Sequence, residues 1–315
     1  MGARAVSEKI ETAVAAGIED RRAVLISVEQ ASARVADGMT VGVGGFINSG
    51  HPMAMLRQLI RDRKRDLTIV GAASAGLEVD MLIAAGCVRK VIAPYVGAEG
   101  LAGIGPAFRR AAQSGKLEIA EIDEALYYAG LRAAAQCLPF NPWQAGLRTS
   151  IPVLNPSIVE FTDPISHQPM LAVPAINIDV CLLHAARSDP YGNVQHNGTS
   201  YGDTALSAAA DVTIASVETV VPVEAIRANP MATTIPGADA IVRAPFGAHP
   251  FSADGSYVPD RAHITEYLKA ANESLRGGTS EPIEAYLRRY VLDTSDEIEY
   301  LEQVGLRNLL ALSEY

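Results

Sequence analysis

The chain has 315 residues, 49% of them hydrophobic and 20% charged, with a net charge of -10 and a pI of about 5.1. That length suffices for one large or two ordinary domains with a substantial core, and the acidity argues against a nucleic-acid partner, because phosphate binders carry a basic face. Three widely spaced cysteines, Cys87, Cys137 and Cys181, show no CxxC spacing and read mostly as buried thiols of a reducing compartment. No apolar run approaches the ~18 residues of a spanning helix, and Arg4, Glu8, Lys9, Glu11 and Glu19 leave no signal-like apolar region near the start. A cytoplasmic protein without membrane contact is expected.

In chain order, Ser27-Val28-Glu29-Gln30 reads as a capping box, with Val28, Ala31 and Val35 on one helical face and a stop near Asp37-Gly38. Met39 to Val43 is a short strand, followed by the turn Gly44-Gly45-Phe46-Ile47-Asn48-Ser49-Gly50-His51-Pro52. Pro52 suits a first helical turn, and Met53, Leu56, Leu59 and Ile60 make the next helix amphipathic. The basic run Arg57, Arg61, Arg63, Lys64 and Arg65 then reads as a solvated helix end. Leu67-Thr68-Ile69-Val70 is a buried strand that ends in Gly71, which completes a β-loop-α-β unit of the kind that builds parallel sheets. A helix near 78 to 85, a strand Lys90 to Ile92 and a helix from Pro106 to Gln113 continue the alternation. Pro139, Pro142, Pro152, Pro156 and Pro164 predict an irregular excursion over the sheet. Buried strands resume at Leu171 to Pro174, Val180 to His184, Val212 to Val217 and Ala240 to Val242. Asp189 to Asn193 reads as a turn, and the chain is helical from Ile264 onward. The expected fold is α/β, an open mainly parallel sheet with helices on both faces and a C-terminal helical extension. The expected divisions are an N-terminal extension over 1–26, an α/β domain over 27–262 with a Pro-rich excursion over 138–165, and a helical segment over 263–315.

The glycine turn is the centre of functional interest, because a strand ending in Gly44-Gly45 lets backbone N–H groups approach an anion. It is not the dinucleotide fingerprint, since Ile47 stands where GxGxxG needs glycine, nor a Walker A loop, which needs Gly-Lys-Ser/Thr. On spacing alone it is either a tight packing corner or a ligand cradle.

The longer run from Asp37-Gly38 through Gly44-Gly45-Phe46 to Gly50 and Pro52 resembles the first signature of family I coenzyme A transferases, departing only at Gly42, where that pattern has an apolar side chain. Leu138-Pro139-Phe140, Asp189-Pro190-Tyr191-Gly192-Asn193-Val194, Ala244-Pro245-Phe246-Gly247-Ala248-His249-Pro250, Glu299-Tyr300-Leu301 and Gly305-Leu306 extend the resemblance to the α subunit of glutaconate CoA-transferases over about residues 28 to 312. The resemblance implies a CoA-transferase (NagB/RpiA/CoA transferase-like) fold and a CoA thioester as substrate, with no permanently bound cofactor; no metal is expected, because no set of His, Cys, Asp and Glu has metal-ligand spacing. It also implies a nucleophilic glutamate on a β subunit, in a heterodimer or α2β2 assembly, and an oxyanion hole from the Gly-Gly-Phe turn. A carboxylate is a weak nucleophile and needs such prepositioned dipoles. This chain has Gly71 at the strand end where the β half carries its glutamate, so it reads as the half without the nucleophile.

The candidate catalytic residues are Gly44, Gly45 and Glu124, with Gly42, Phe46, Ser49, Gly50, His51 and Ser74 as substrate-binding candidates. Glu124 lies in a stretch, Ile122 to Phe140, that resembles the α chain of steroid-ring-opening CoA hydrolases, where the resemblance makes it an acid/base; a helix-start ion pair is the other reading. His51 is either a substrate contact or an ordered loop residue. His184 reads as a core histidine, His249 as a family-motif residue or a turn former, and Glu218 as half of a structural ion pair. The function expected is the α half of a CoA-transferase acting on an acyl-CoA and a small carboxylic acid. The α half of a ring-opening acyl-CoA hydrolase and a non-catalytic CoA-binding module remain as alternatives.

Overall fold

A computed structural model of the chain describes residues 22–313; the expected N-terminal extension lies, up to residue 21, outside the described residues. The first half alternates: β1 (Leu25–Ile26), α1 (Val28–Ser32), β2 (Thr40–Val43), α2 (Met53–Arg61), β3 (Leu67–Val70), α3 (Leu77–Ala84), β4 (Val88–Ile92), α4 (Pro106–Gln113) and β5 (Glu118–Ala120). Next come α5 (Glu124–Ala135), β6 (Phe140–Trp143), α6 (Ile151–Leu154), β7 (Val159–Thr162) and β8 (Pro169–Pro174). The second half holds β9 (Ile178–Ser188), β10 (Val194–Gln195), α7 (Asp203–Ala208), β11 (Ala210–Val220), α8 (Val223–Arg227), β12 (Thr233–Ile235) and β13 (Ala240–Arg243). It closes with α9 (Arg261–Gly277), α10 (Glu281–Leu287), a π turn over Arg288–Leu292, α11 (Glu297–Val304) and α12 (Leu306–Leu312).

Ten strands form one sheet in the order β1-β13-β11-β9-β2-β3-β4-β5, all parallel, with the short β10 and β12 attached antiparallel beside β9. Successive side chains of a strand point to opposite faces, and here both faces are buried. Val41, Val43, Ile69, Val180, Leu182, Ile214 and Val242 point into a core shared with Met53, Leu56 and Leu59 of α2 and with Tyr267, Tyr286 and Tyr300 of the C-terminal helices. Val70, Cys181, Leu183, Ala215, Val217 and Ile241 point the other way, onto Tyr127 and Leu131 of α5 and Leu206 of α7. The expected α/β sheet with helices on both faces is what forms.

Three local expectations need correction. The first helix stops at Ser32, well before Asp37, because the chain then turns to feed β2 through bonds such as Gly38 N–H to Arg65 O, although Val35 stays buried. The Pro-rich excursion is not irregular, since it folds into a separate antiparallel sheet in the order β6-β8-β7. Its prolines sit where a ladder tolerates them: Pro142 in an edge strand, Pro169 and Pro174 at the two ends of the central one, and Pro152 in the first turn of α6. Leu171 to Pro174 therefore belongs to this small sheet, where Leu171 and Val173 pack on Leu126 and Ala129 of α5. Cys87 and Cys181 are buried as expected, but Cys137 is exposed just past the end of α5.

Only the tail of the basic run is a solvated helix end: Arg63 and Arg65 are exposed past Arg61, whereas Arg57 and Arg61 turn inward. Arg57, 1% exposed, lies 3.6 Å over the Tyr300 ring and pairs with Glu297 at 2.5 Å, and Arg61 binds Glu297 and the carbonyls of Val291, Thr294 and Asp296. These contacts tie α2, which follows the glycine turn directly, to the C-terminal helices. His249 joins the same network, its Nδ1 2.6 Å from Tyr300 Oη and its Nε2 3.2 Å from Asp260 Oδ2. Among the described residues no helix is long and apolar enough to cross a membrane.

Candidate active site

Ligands of open parallel sheets bind beyond the carboxyl ends of the strands, and β2 ends there in the glycine turn. Gly44 N–H continues the ladder to Leu182 O, after which Gly45 takes φ +100, a value that side chains rarely adopt. Ser49 O and Gly50 lie within 2.9 Å of where a Gly45 Cβ would stand, so the turn is closed by its own backbone. Phe46 N–H and Ser49 N–H bond each other's carbonyls, and the Phe46 ring stacks on Tyr201 at 4.9 Å. Ser252 holds the tip by accepting from Gly50 N–H and donating from its own N–H to Asn48 O.

His51 is fully buried, its ring turned onto the backbone of the turn and Glu78. Its Nδ1 donates to Gly44 O at 2.8 Å, and its Nε2 lies 3.2 Å from Ile47 O and 3.3 Å from Glu78 Oε2. Glu78, at the start of α3, also accepts from Gly76 N–H, and burial pushes its carboxyl up from the ordinary value against the pull of His51 and those backbone N–H groups. The histidine thus ties the turn after β2 to the turn after β3.

On the other side of the same peptide, Gly45 N–H donates to Asp203 Oδ1 at 2.9 Å. Asp203 Oδ2 lies 3.1 Å from His196 Nε2, and His196 Nδ1 lies 2.7 Å from Thr234 Oγ1. A small cleft of about 20 Å³ opens here, lined by Ser49, Gly50, His196, Tyr201, Asp203 and Asp254, with Ser49 Oγ donating to Asp254 at 3.1 Å.

Ser49 and Gly50 line the cleft directly, Gly45 and Phe46 reach its wall only through Asp203 and Tyr201, Gly44 is buried in the strand end, and His51 lies behind the turn. Ser74 touches the turn through its carbonyl, which accepts from Ile47 N–H. Gly42 lies inside the sheet, where a Cβ would stand 3.1 Å from Ile178 and 3.3 Å from Cys181, so it serves packing and does not reach the cleft. Glu124 is exposed in the first turn of α5, one turn before Tyr128, whose hydroxyl lies against Gly202 beside Asp203. Burial, then Glu124 and Asp203, push the Tyr128 hydroxyl up. His184 and Glu218 are partnered within the chain: Glu218 accepts from His184, Tyr257 and the N–H groups of Phe246 and Gly247. Among the described residues no three His, Cys, Asp or Glu side chains are grouped to hold a metal ion. Sequence reading missed Asp203, His196 and Glu78. They carry no motif, and Asp203 is 158 residues from Gly45, so only the fold brings them together.

A glycine turn held by buried polar side chains at the carboxyl edge of a mainly parallel sheet places the chain among α/β proteins whose ligand site lies beyond the strand ends. The coenzyme A transferase family profile matches residues 25–244, and the chain belongs to that family. It is 30% identical over 296 residues to a glutaconate CoA-transferase subunit of Acidaminococcus fermentans, covering 88% of this chain and 90% of that one. The crystal structure of that transferase superposes with a TM-score of 0.86 at 28% identity, over 93% of this chain and 96% of the other. The cholesterol ring-cleaving hydrolase IpdA subunit of Mycobacterium tuberculosis is 32% identical over 85% of this chain and 93% of its own length. An uncharacterized protein of Archaeoglobus fulgidus is 36% identical over 89% of this chain, which spans only 62% of that longer protein.

Proposed function

We propose that this chain is the α half of a heteromeric, cytoplasmic CoA-transferase that moves CoA between an acyl-CoA and a small carboxylic acid, with a separate β chain bringing the nucleophilic glutamate. The observation that carries the reading is at the end of β3. There Gly71 has no room for a side chain, since a Cβ would lie 2.9 Å from Ala75 Cβ, and its carbonyl already accepts from Tyr127 Oη at 2.5 Å. A nucleophile at that strand end has to come from another chain, in keeping with relatives named as subunits. In this reading the partner's carboxylate attacks the thioester carbonyl carbon and expels CoA as thiolate. The thiolate then attacks the glutamyl carbonyl of the resulting mixed anhydride, which releases the first acid as a free carboxylate and leaves a glutamyl-CoA thioester; the acceptor carboxylate runs the same two steps in reverse, regenerating the glutamate and leaving with CoA. The Gly44–Gly45 peptide supplies backbone polarity where the oxyanion develops, through the Gly45 N–H, because the Gly44 N–H is already held by Leu182 O; Phe46, Ser49 and Gly50 line the approach. The CoA thioester is substrate, and no resident cofactor is needed.

The hydrolase reading has one observation in its favour. Glu124 is solvent-facing at the start of α5, beside Tyr128 and the Gly202-Asp203 corner, and is free to act on a substrate held against a partner. The two readings separate when the chain is co-purified with the β-like chain encoded beside it and acyl-CoA is followed with and without an acceptor acid. Transfer that requires the acceptor supports the first. Release of free CoA by water alone, lost in Glu124→Gln, supports the second.

A further inference from the structure

The amides of Gly44, Phe46, Ile47, Ser49 and Gly50 all donate to backbone carbonyls. That of Gly45 donates instead to a carboxylate. The single peptide joining Gly44 to Gly45 is gripped at both ends, His51 Nδ1 donating to its carbonyl and Asp203 Oδ1 taking its N–H. The fit leaves no slack, since a Cβ on Gly44 would lie 2.5 Å from both Asp203 Oδ1 and Leu183. Asp203 is 1% exposed and is backed by His196, which donates to it through Nε2 and leaves Nδ1 to meet the Thr234 hydroxyl. A carboxylate oxygen thus stands where the oxyanion of the proposed reaction would be stabilised. Two anionic oxygens cannot share one N–H in a dry site without strong repulsion.

We propose that Asp203 is a positioning residue that keeps the Gly45 N–H aimed into the cleft and surrenders it to the substrate oxyanion, while His196 retains the displaced carboxylate. The inference rests on the CoA-transferase reading of the turn. The water-sized space beside Ser49, Gly50 and Asp254 gives the carboxylate somewhere to turn, and the His196 bond keeps the buried charge from being stranded.

Two measurements test it. In the full chain labelled with 15N-glycine, Asp203→Asn and Asp203→Ala should both move the Gly45 amide resonance, because a carboxylate acceptor is lost; an unmoved resonance overturns the proposal. In the complex with its β chain, assayed with succinyl-CoA or glutaconyl-CoA and acetate as acceptor, Asp203→Ala should lower kcat by about 100-fold with KM nearly unchanged, the loss typical of one misaimed oxyanion donor. Asp203→Asn, which keeps an oxygen facing Gly45, should restore kcat to within about tenfold of wild type, the difference between a charged and a neutral acceptor. A folded Asp203→Ala complex with wild-type kcat, or an Asn variant no better than Ala, overturns the proposal; if Ala does not fold, the Asn variant and the amide resonance decide. A wild-type complex that moves no CoA defeats the transferase reading and the surrender step with it. The amide shift then tells whether the clamp itself exists.

Discussion

Gly45→Ala should damage this protein more than another glycine-to-alanine change at positive φ, and the structure says by how much. At φ +100 a Cβ is strained, a cost of about 1–3 kcal/mol. It would also lie 2.7 Å from Ser49 O and against the His51 ring, and the carbonyl cannot rotate away, so overpacking adds about 1–3 kcal/mol. Alanine recovers about 0.4–1 kcal/mol by restricting the unfolded chain. The net loss is then about 1–5 kcal/mol, centred near 3 kcal/mol. Gly38→Ala is the control, because Gly38 has φ +81 but nothing within 4 Å of its missing Cβ, so it carries strain alone and should lose about 1 kcal/mol. Urea unfolding of both variants followed by far-ultraviolet circular dichroism measures the difference, and turnover of the complex should fall for Gly45→Ala and persist for Gly38→Ala. Equal stabilities, or wild-type turnover in Gly45→Ala, would refute the claim that the turn is closed by its own backbone.

Other outcomes follow from the buried pairs. His51→Phe keeps a ring against Phe251 but leaves the Glu78 carboxylate buried without its partner; unfolding should show a loss of about 3–5 kcal/mol, and a loss below about 1 kcal/mol would contradict the role given to His51. Arg57→Met leaves Glu297 with Arg61 as its one cation and removes the guanidinium stacked on Tyr300, so it should loosen the C-terminal helices to limited proteolysis, with α2 remaining protected; uniform protection would show that Arg57 is not what fastens them. Burial, with His249 and Arg57 nearby, holds His263 down to about 3 from 6.5, so the unfolded chain binds a proton that the folded chain refuses, and stability present above pH 6.5 is lost as the pH falls. Burial raises Asp80 from 3.8 to about 6, so its contribution runs the other way and is lost as the pH rises through that value. Between about pH 7.5 and 5 the first effect costs about 2 kcal/mol and the second returns about 1 kcal/mol, so Asp80→Asn should steepen the acid loss measured by urea unfolding. An Asp80→Asn slope no steeper than wild type would refute the assignment.

What the sequence discloses is set by the distance between partners. The capping box at Ser27 and Gln30, the helix over Met53–Arg61 and the strand Leu67–Val70 depend on neighbours within a few residues, and each forms where its pattern predicts. Arg57 looks like a surface cation because the Glu297 that buries it is 240 residues away. The prolines between 138 and 174 suggest irregular chain, yet edge and terminal strand positions accept them, and that depends on which strand pairs with which. At the site the glycine turn and its flanks are local, so they are legible, and so is the absence of a carboxylate at Gly71. His51 is visible as a residue but not as a clamp, since its role depends on Glu78 in the next turn and on which way the Gly44 carbonyl points. Asp203 and His196 leave no trace at all in the local pattern.

The central claim is that this chain holds half of a CoA-transferase site and lacks the nucleophile. Intact-mass spectrometry of both chains, after the purified complex is incubated with acyl-CoA in the absence of an acceptor acid, tests it directly. The account predicts a covalent CoA or acyl adduct on the β chain and none on this one; an adduct on this chain would contradict it.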